Sequence, residues 1–135
     1  MRFLLLTLLL FLFSACGKPP LLNKQDSIKH SSHYQSVRVN DYSADLYWNE
    51  APKAYSYLSA QLEFRVNNIL SSLPPESEVY LWMPSMGHGG PDIRLEEISQ
   101  GIYKLDEIYF IMEGDWQIII KLPQTSTTLN FNYDI

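Results

Sequence analysis

Between Leu58 and Val66 the chain reads Leu-Ser-Ala-Gln-Leu-Glu-Phe-Arg-Val, so every second side chain is apolar. In an extended backbone successive side chains point to opposite faces, and such a segment is a strand with one face buried. The same period sets Val79, Leu81 and Met83 opposite Tyr80 and Trp82. It sets Trp116, Ile118, Ile120 and Leu122 opposite Gln117, Ile119 and Lys121, and Leu129, Phe131 and Tyr133 opposite Thr128, Asn130 and Asp134. With Ala44 to Trp48, Ile93 to Glu96 and Tyr103 to Met112, about seven short strands fall within ~95 residues. Turn signals separate them at Pro74-Pro75, Gly89-Gly90-Pro91, Gly101 and Glu113-Gly114-Asp115. The helical period is nearly absent; Asn67 to Leu73 has room for one helical turn before Pro74-Pro75 stops it. An all-β, immunoglobulin-like β-sandwich without internal repeats is expected.

The amino terminus has a different character. Met1-Arg2 precedes an apolar run from Phe3 to Phe13, about 11 residues, which is the layout of a secretory signal. The run is too short to span a bilayer, which takes roughly 20 residues. Phe13-Ser14-Ala15-Cys16 follows it and resembles a bacterial lipobox, with Phe13 where leucine is usual. Residues 1–15 are therefore expected to be removed and Cys16 to become the lipidated first residue. Cys16 is the one cysteine of the chain, so no internal disulfide can form, and lipidation accounts for the thiol. Several acyl chains, each methylene contributing about 0.8 kcal/mol when buried, anchor far more firmly than a single myristoyl group. Gly17 is not the aspartate of the enterobacterial retention signal, which by resemblance favours the outer membrane, facing the periplasm.

Residues 16–36 are rich in Pro, Ser, Lys and Gln and are expected to form a flexible tether, up to about 60 Å long at ~3.3 Å per residue. His30 and His33 lie in it and are read as solvated. Residues 37–135 then make one domain with one core. Loss of Arg2 takes the basic count from 10 to 9 against 15 acidic residues, a net charge of about −6, which repels nucleic acid and supplies no polybasic membrane patch.

Chemistry concentrates in Met83-Pro84-Ser85-Met86-Gly87-His88-Gly89-Gly90. Two of the three methionines after the initiator stand here; the third, Met112, precedes the turn at Glu113-Gly114-Asp115. If the strand ending at Met83 runs up, the next down and the one ending at Met112 up, both methionines reach one pole of the sandwich. Thioethers are soft, neutral ligands and imidazole is borderline, so Met86, His88, Met112 and Met83 together would favour copper(I) over zinc or magnesium. Parity also groups Met83 with Val79 and Leu81, and Met112 with Ile108 and Phe110, so both serve equally as core side chains. No Gly-x-Ser-x-Gly or His-Glu-x-x-His occurs, and residues 37–135 contain one histidine, which leaves no serine triad or multi-imidazole zinc site. No enzyme is expected.

Three motifs resemble the YtkA-like and FixH-like family of exported bacterial proteins. They are Trp82-Met83-Pro84-Ser85-Met86-Gly87-His88-Gly89, Gly101-Ile102-Tyr103, and Phe110-Ile111-Met112-Glu113-Gly114-Asp115-Trp116-Gln117-Ile118. The likeness runs from about Leu46 to Leu122 and keeps the family's order. It implies a small β-sandwich and copper handling, including supply to haem-copper oxidases, with Met86, His88 and Met112 as ligands, Met83 as a further one, and Trp116 packed beneath. FixH proteins carry a transmembrane helix where this chain has its lipobox.

Two functions follow as expectations: a copper(I)-binding envelope lipoprotein serving a copper-accepting envelope protein, or a metal-free interaction module whose methionines supply adaptable apolar surface. For the anchor, labelled palmitate fed to cells expressing the chain should appear in the wild type and vanish in Cys16→Ser. Equal labelling of both, or none in the wild type, overturns lipidation at Cys16.

Overall fold

The computed structural model describes residues 33–135; the expected leader, Cys16 and the upstream part of the expected tether lie outside the described residues. Ten strands form: β1 Tyr34–Val39, β2 Tyr42–Trp48, β3 Tyr57–Val66, β4 Ile69–Leu70, β5 Glu78–Met83, β6 His88–Gly89, β7 Arg94–Ser99, β8 Ile102–Tyr109, β9 Asp115–Leu122 and β10 Thr127–Asp134. One sheet has the order β1-β2-β3-β8-β7, with β4 added to β3; the other has the order β10-β9-β5-β6. All named strand pairs are antiparallel. The expected all-β sandwich is what forms. Among the described residues no helix is long and apolar enough to cross a membrane.

The alternation decides which side chains fill the space between the sheets. Ala44, Leu46, Leu62, Phe64, Ile118, Ile120, Leu129 and Phe131 are wholly buried. At ~25 cal/mol per Å² of apolar surface removed from water, these inward faces are the main force holding the layers together. The Tyr103 to Met112 run is shorter as a strand than expected. A register shift opposite Leu58 and Ala60, with Glu107 in the left-handed region (φ 60), switches the inward set from Tyr103 and Leu105 to Ile108 and Phe110.

Two segments differ from the sequence expectation. Tyr34, Gln35 and Ser36, read as the end of the tether, belong to β1 and pair with Tyr47, Leu46 and Asp45. The helical turn expected within Asn67 to Leu73 is instead a hairpin. Val66 pairs with Ile69 across Asn67 (φ 51) and Asn68 (φ 67), because asparagine tolerates the left-handed backbone of a two-residue turn.

At one end of the sandwich Gly101-Ile102-Tyr103 acts as a latch. Gly101 has φ +72, and a Cβ there would lie 2.6 Å from the Ser71 nitrogen and 2.8 Å from the Phe64 oxygen. Phe64 N–H donates to Gly101 O at 2.8 Å, and Leu73 N–H donates to the Tyr103 hydroxyl at 2.7 Å. Glu97 accepts from the Ser72 hydroxyl at 2.7 Å and the Gly101 amide at 2.9 Å. These donors, the Ser72 hydroxyl foremost, hold the Glu97 carboxyl below the usual carboxylate range.

Urea unfolding should show Gly101→Ala less stable by more than about 2 kcal/mol. Tyr103→Phe, which removes one acceptor, should cost about 1 kcal/mol. Because the folded Glu97 is the stronger acid, its contribution is complete above the ordinary glutamate range and disappears as pH falls through the depressed folded value. Wild-type and Glu97→Gln stabilities should therefore differ at neutral pH and converge in acid; a constant difference would show that Glu97 does not act through its charge.

Candidate functional site

The loop after β5 is shaped by its backbone donors. Pro84 supplies a fixed φ at the first corner. The amides of Met86 and Gly87 both donate to Met83 O, at 3.2 and 2.9 Å, and Gly87 takes the left-handed conformation (φ 65) that turns the chain back. His88 returns opposite Met83 and Gly89 opposite Trp82. The Ser85 amide donates to Asp115 Oδ2 at 3.1 Å, which fastens the loop to the start of β9. Gly90 lies so close beneath that a Cβ would stand 2.9 Å from Leu81 Cβ and 3.2 Å from the Trp116 ring.

The connection from β8 to β9 meets this loop from the other side. Trp116 is 1% exposed, and its indole N–H donates to Met112 O at 2.9 Å. Its ring lies 5.7 Å from that of Phe110 and 6.0 Å, edge to face, from that of His88. Gly114 pairs with Ile135 through two backbone hydrogen bonds, at 2.8 and 2.9 Å, which extends the β9 and β10 ladder by one step. A Cβ on Gly114 would fall 2.3 Å from Met83 Cε, so that methyl rests on the glycine backbone.

Strand register and these contacts bring the segments bearing Met83, Met86, His88 and Met112 to one pole. Their exposures differ. Met83 is 4% exposed and takes the core position its parity indicated. Met112 is half-buried against the core, His88 is half-buried, and Met86 is 59% exposed. His88 Nδ1 lies 2.8 Å from Gly89 O. A carbonyl only accepts, so this hydrogen bond places a proton on Nδ1; in the neutral ring the Nε2 lone pair is then open, the arrangement in which imidazole serves as a metal ligand.

Among the described residues no three of His, Cys, Asp and Glu are grouped to hold a metal ion, and the soft or borderline donors near this pole are the thioethers of Met83, Met86 and Met112 and the His88 imidazole. An open cleft of about 510 Å³ adjoins the pole, with Pro84, Asp115, Gln117, Asn132 and Asp134 on its walls. Sequence reasoning missed Asp115 as the loop's fastening and Gly90 and Gly114 as contact points. Asp115 and Gly114 were visible only as turn residues, because nothing in a linear pattern shows which distant amide or methyl a turn will meet. Cys16 lies outside the described residues.

The YtkA-like family model matches residues 36–121. Comparison with curated proteins and with solved structures gives no match. The matched span takes in the β5 loop, the Gly101 latch and Trp116. The chain belongs to the YtkA-like family.

Proposed function

We propose that this protein is an envelope lipoprotein that binds copper(I) through thioether and imidazole donors and delivers or buffers it. The observation that carries the reading is the convergence on Trp116. One buried indole holds the Met112 carbonyl and packs against the His88 ring, so donors from two separate loops are kept at a single pole. A set of neutral soft ligands favours the monovalent ion, and a site of charge +1 costs less to desolvate than a divalent one.

Within this reading the four candidates divide by accessibility. Met86, His88 and Met112 are the ligands, since each is at least partly open to solvent. Met83, packed on Gly114, forms the wall behind them. Gly89 fixes the imidazole tautomer, and Gly87 and Asp115 fix the loop path. The lipid at Cys16 would keep the cargo at a membrane surface, within reach of a copper-accepting envelope protein.

The test is a competition titration of the full chain in detergent against a coloured copper(I) chelator, without oxygen. One equivalent should bind with Kd below about 1 μM. Replacing Met86 with Leu, His88 with Ala and Met112 with Leu together should weaken binding at least about 100-fold, whereas Met83→Leu should change it less than about tenfold. Affinity no better than micromolar, or unchanged in the triple variant, sinks the proposal.

A further inference from the structure

The pole bearing Met86 and His88 is bordered by exposed aromatic rings. Tyr55 is 64% exposed and Tyr57 74%, and the Tyr57 ring lies 4.8 Å from that of Tyr109. Ile111, next to the Phe110 that accepts from Tyr55, is exposed as well. Tyr55 is fixed here by its amide, which donates to Phe110 O at 3.0 Å, and Tyr57 by its pairing with Tyr109. Large exposed rings on a rigid backbone contribute contact area at low entropic cost and mark interaction surfaces.

Charge is the second feature of this pole. Asp92, Glu113, Asp115 and Asp134 are exposed at this end, and among the described residues none of them is in an ion pair. The local cations are engaged: Lys53 pairs with Glu50 at 2.8 Å and Arg94 lies 3.9 Å from Glu107. Asp115 and Asp134 are direct partners across β9 and β10, an arrangement of like charges that costs stability unless a cation is brought to it.

Charge also selects the occupant: the carboxylates at this pole would repel a surface of anionic headgroups and attract a basic protein surface.

We propose that this pole is a docking face for a partner protein at the same membrane, whose surface is basic and carries apolar side chains that fit between the tyrosines. The proposal rests on the pole being the working end of a copper carrier, and adds the chemistry of its recipient. Acidic residues steer the encounter, and Tyr55, Tyr57 and Ile111 form the dry contact.

The test uses the full chain in phosphatidylcholine nanodiscs, with a fluorescent lysine-rich peptide carrying interspersed leucines as the probe, read by anisotropy. Glu113→Lys with Asp134→Lys should weaken binding at least about tenfold, and Tyr55→Ser with Tyr57→Ser, at unchanged charge, at least about threefold. Asp41→Lys with Glu76→Lys makes the same change in net charge at the opposite end and should weaken it less than about threefold. Equal loss from the two charge-reversed variants, or none from the tyrosine variant, overturns the proposal. Protection of Tyr57 from nitration in phosphatidylglycerol nanodiscs without peptide also overturns it, since a lipid surface would then be the occupant. Copper(I) affinity should survive Glu113→Lys with Asp134→Lys, and peptide binding should survive the triple Met86, His88 and Met112 replacement, so failure of docking is distinguishable from failure of the copper reading.

Discussion

The buried Trp116 indole is the interaction on which the candidate site of this sandwich depends. Its ring fills the space above Phe110 and beneath Gly90, and its single donor is satisfied by Met112 O at 2.9 Å. An indole N–H buried without an acceptor would cost about 1 to 3 kcal/mol, so the position of the Met112 carbonyl is tied to the packing of the core. The ring edge meets His88 as well. Two loops from opposite sides are therefore referred to one rigid group, and neither can drift without disturbing the core.

The glycines at this end are the complement of that large ring. Gly90 lets the backbone lie against Leu81 and Trp116, and Gly114 leaves room for the Met83 methyl. Met83 thereby becomes a packing residue whose carbonyl organises the loop, accepting from Met86 and Gly87. Its sulfur is buried while its neighbour Met86 is displayed, although the two residues are three apart in one motif.

The fold was legible wherever one face of a strand was buried and the other was not. Leu58 to Val66, Trp116 to Leu122 and Leu129 to Tyr133 show this alternation, and their inward residues are the observed core. β1 was not legible, because it lies at a sheet edge with Tyr34, Ser36, Arg38 and Val39 exposed and its sequence carries no strong two-residue contrast. The hairpin at Asn67-Asn68 was hidden by the absence of glycine, and the register shift near Glu107 by the fact that bulges leave no mark on composition. At the pole, the residue types and their common end of the sandwich could be deduced from chain direction. The tyrosine border could not, since Tyr55 lies in a loop with no pattern of its own and reaches this end through its hydrogen bond to Phe110.

One cysteine and a cluster of methionines constrain each other. If the thiol of Cys16 is consumed by acylation, soft-metal chemistry in this chain falls to thioether and imidazole, whose affinity is set by placement more than by charge. Placement here comes from a core indole, a carbonyl and glycine contacts. Neutral ligands also leave the surrounding carboxylates free of metal work. Asp115 spends one oxygen on the Ser85 amide and, with Asp134 opposite, still presents negative charge outward. On the proposed reading the pole would hold a cation by soft donors at its centre and attract a basic surface by its rim, and the two roles would draw on different atoms.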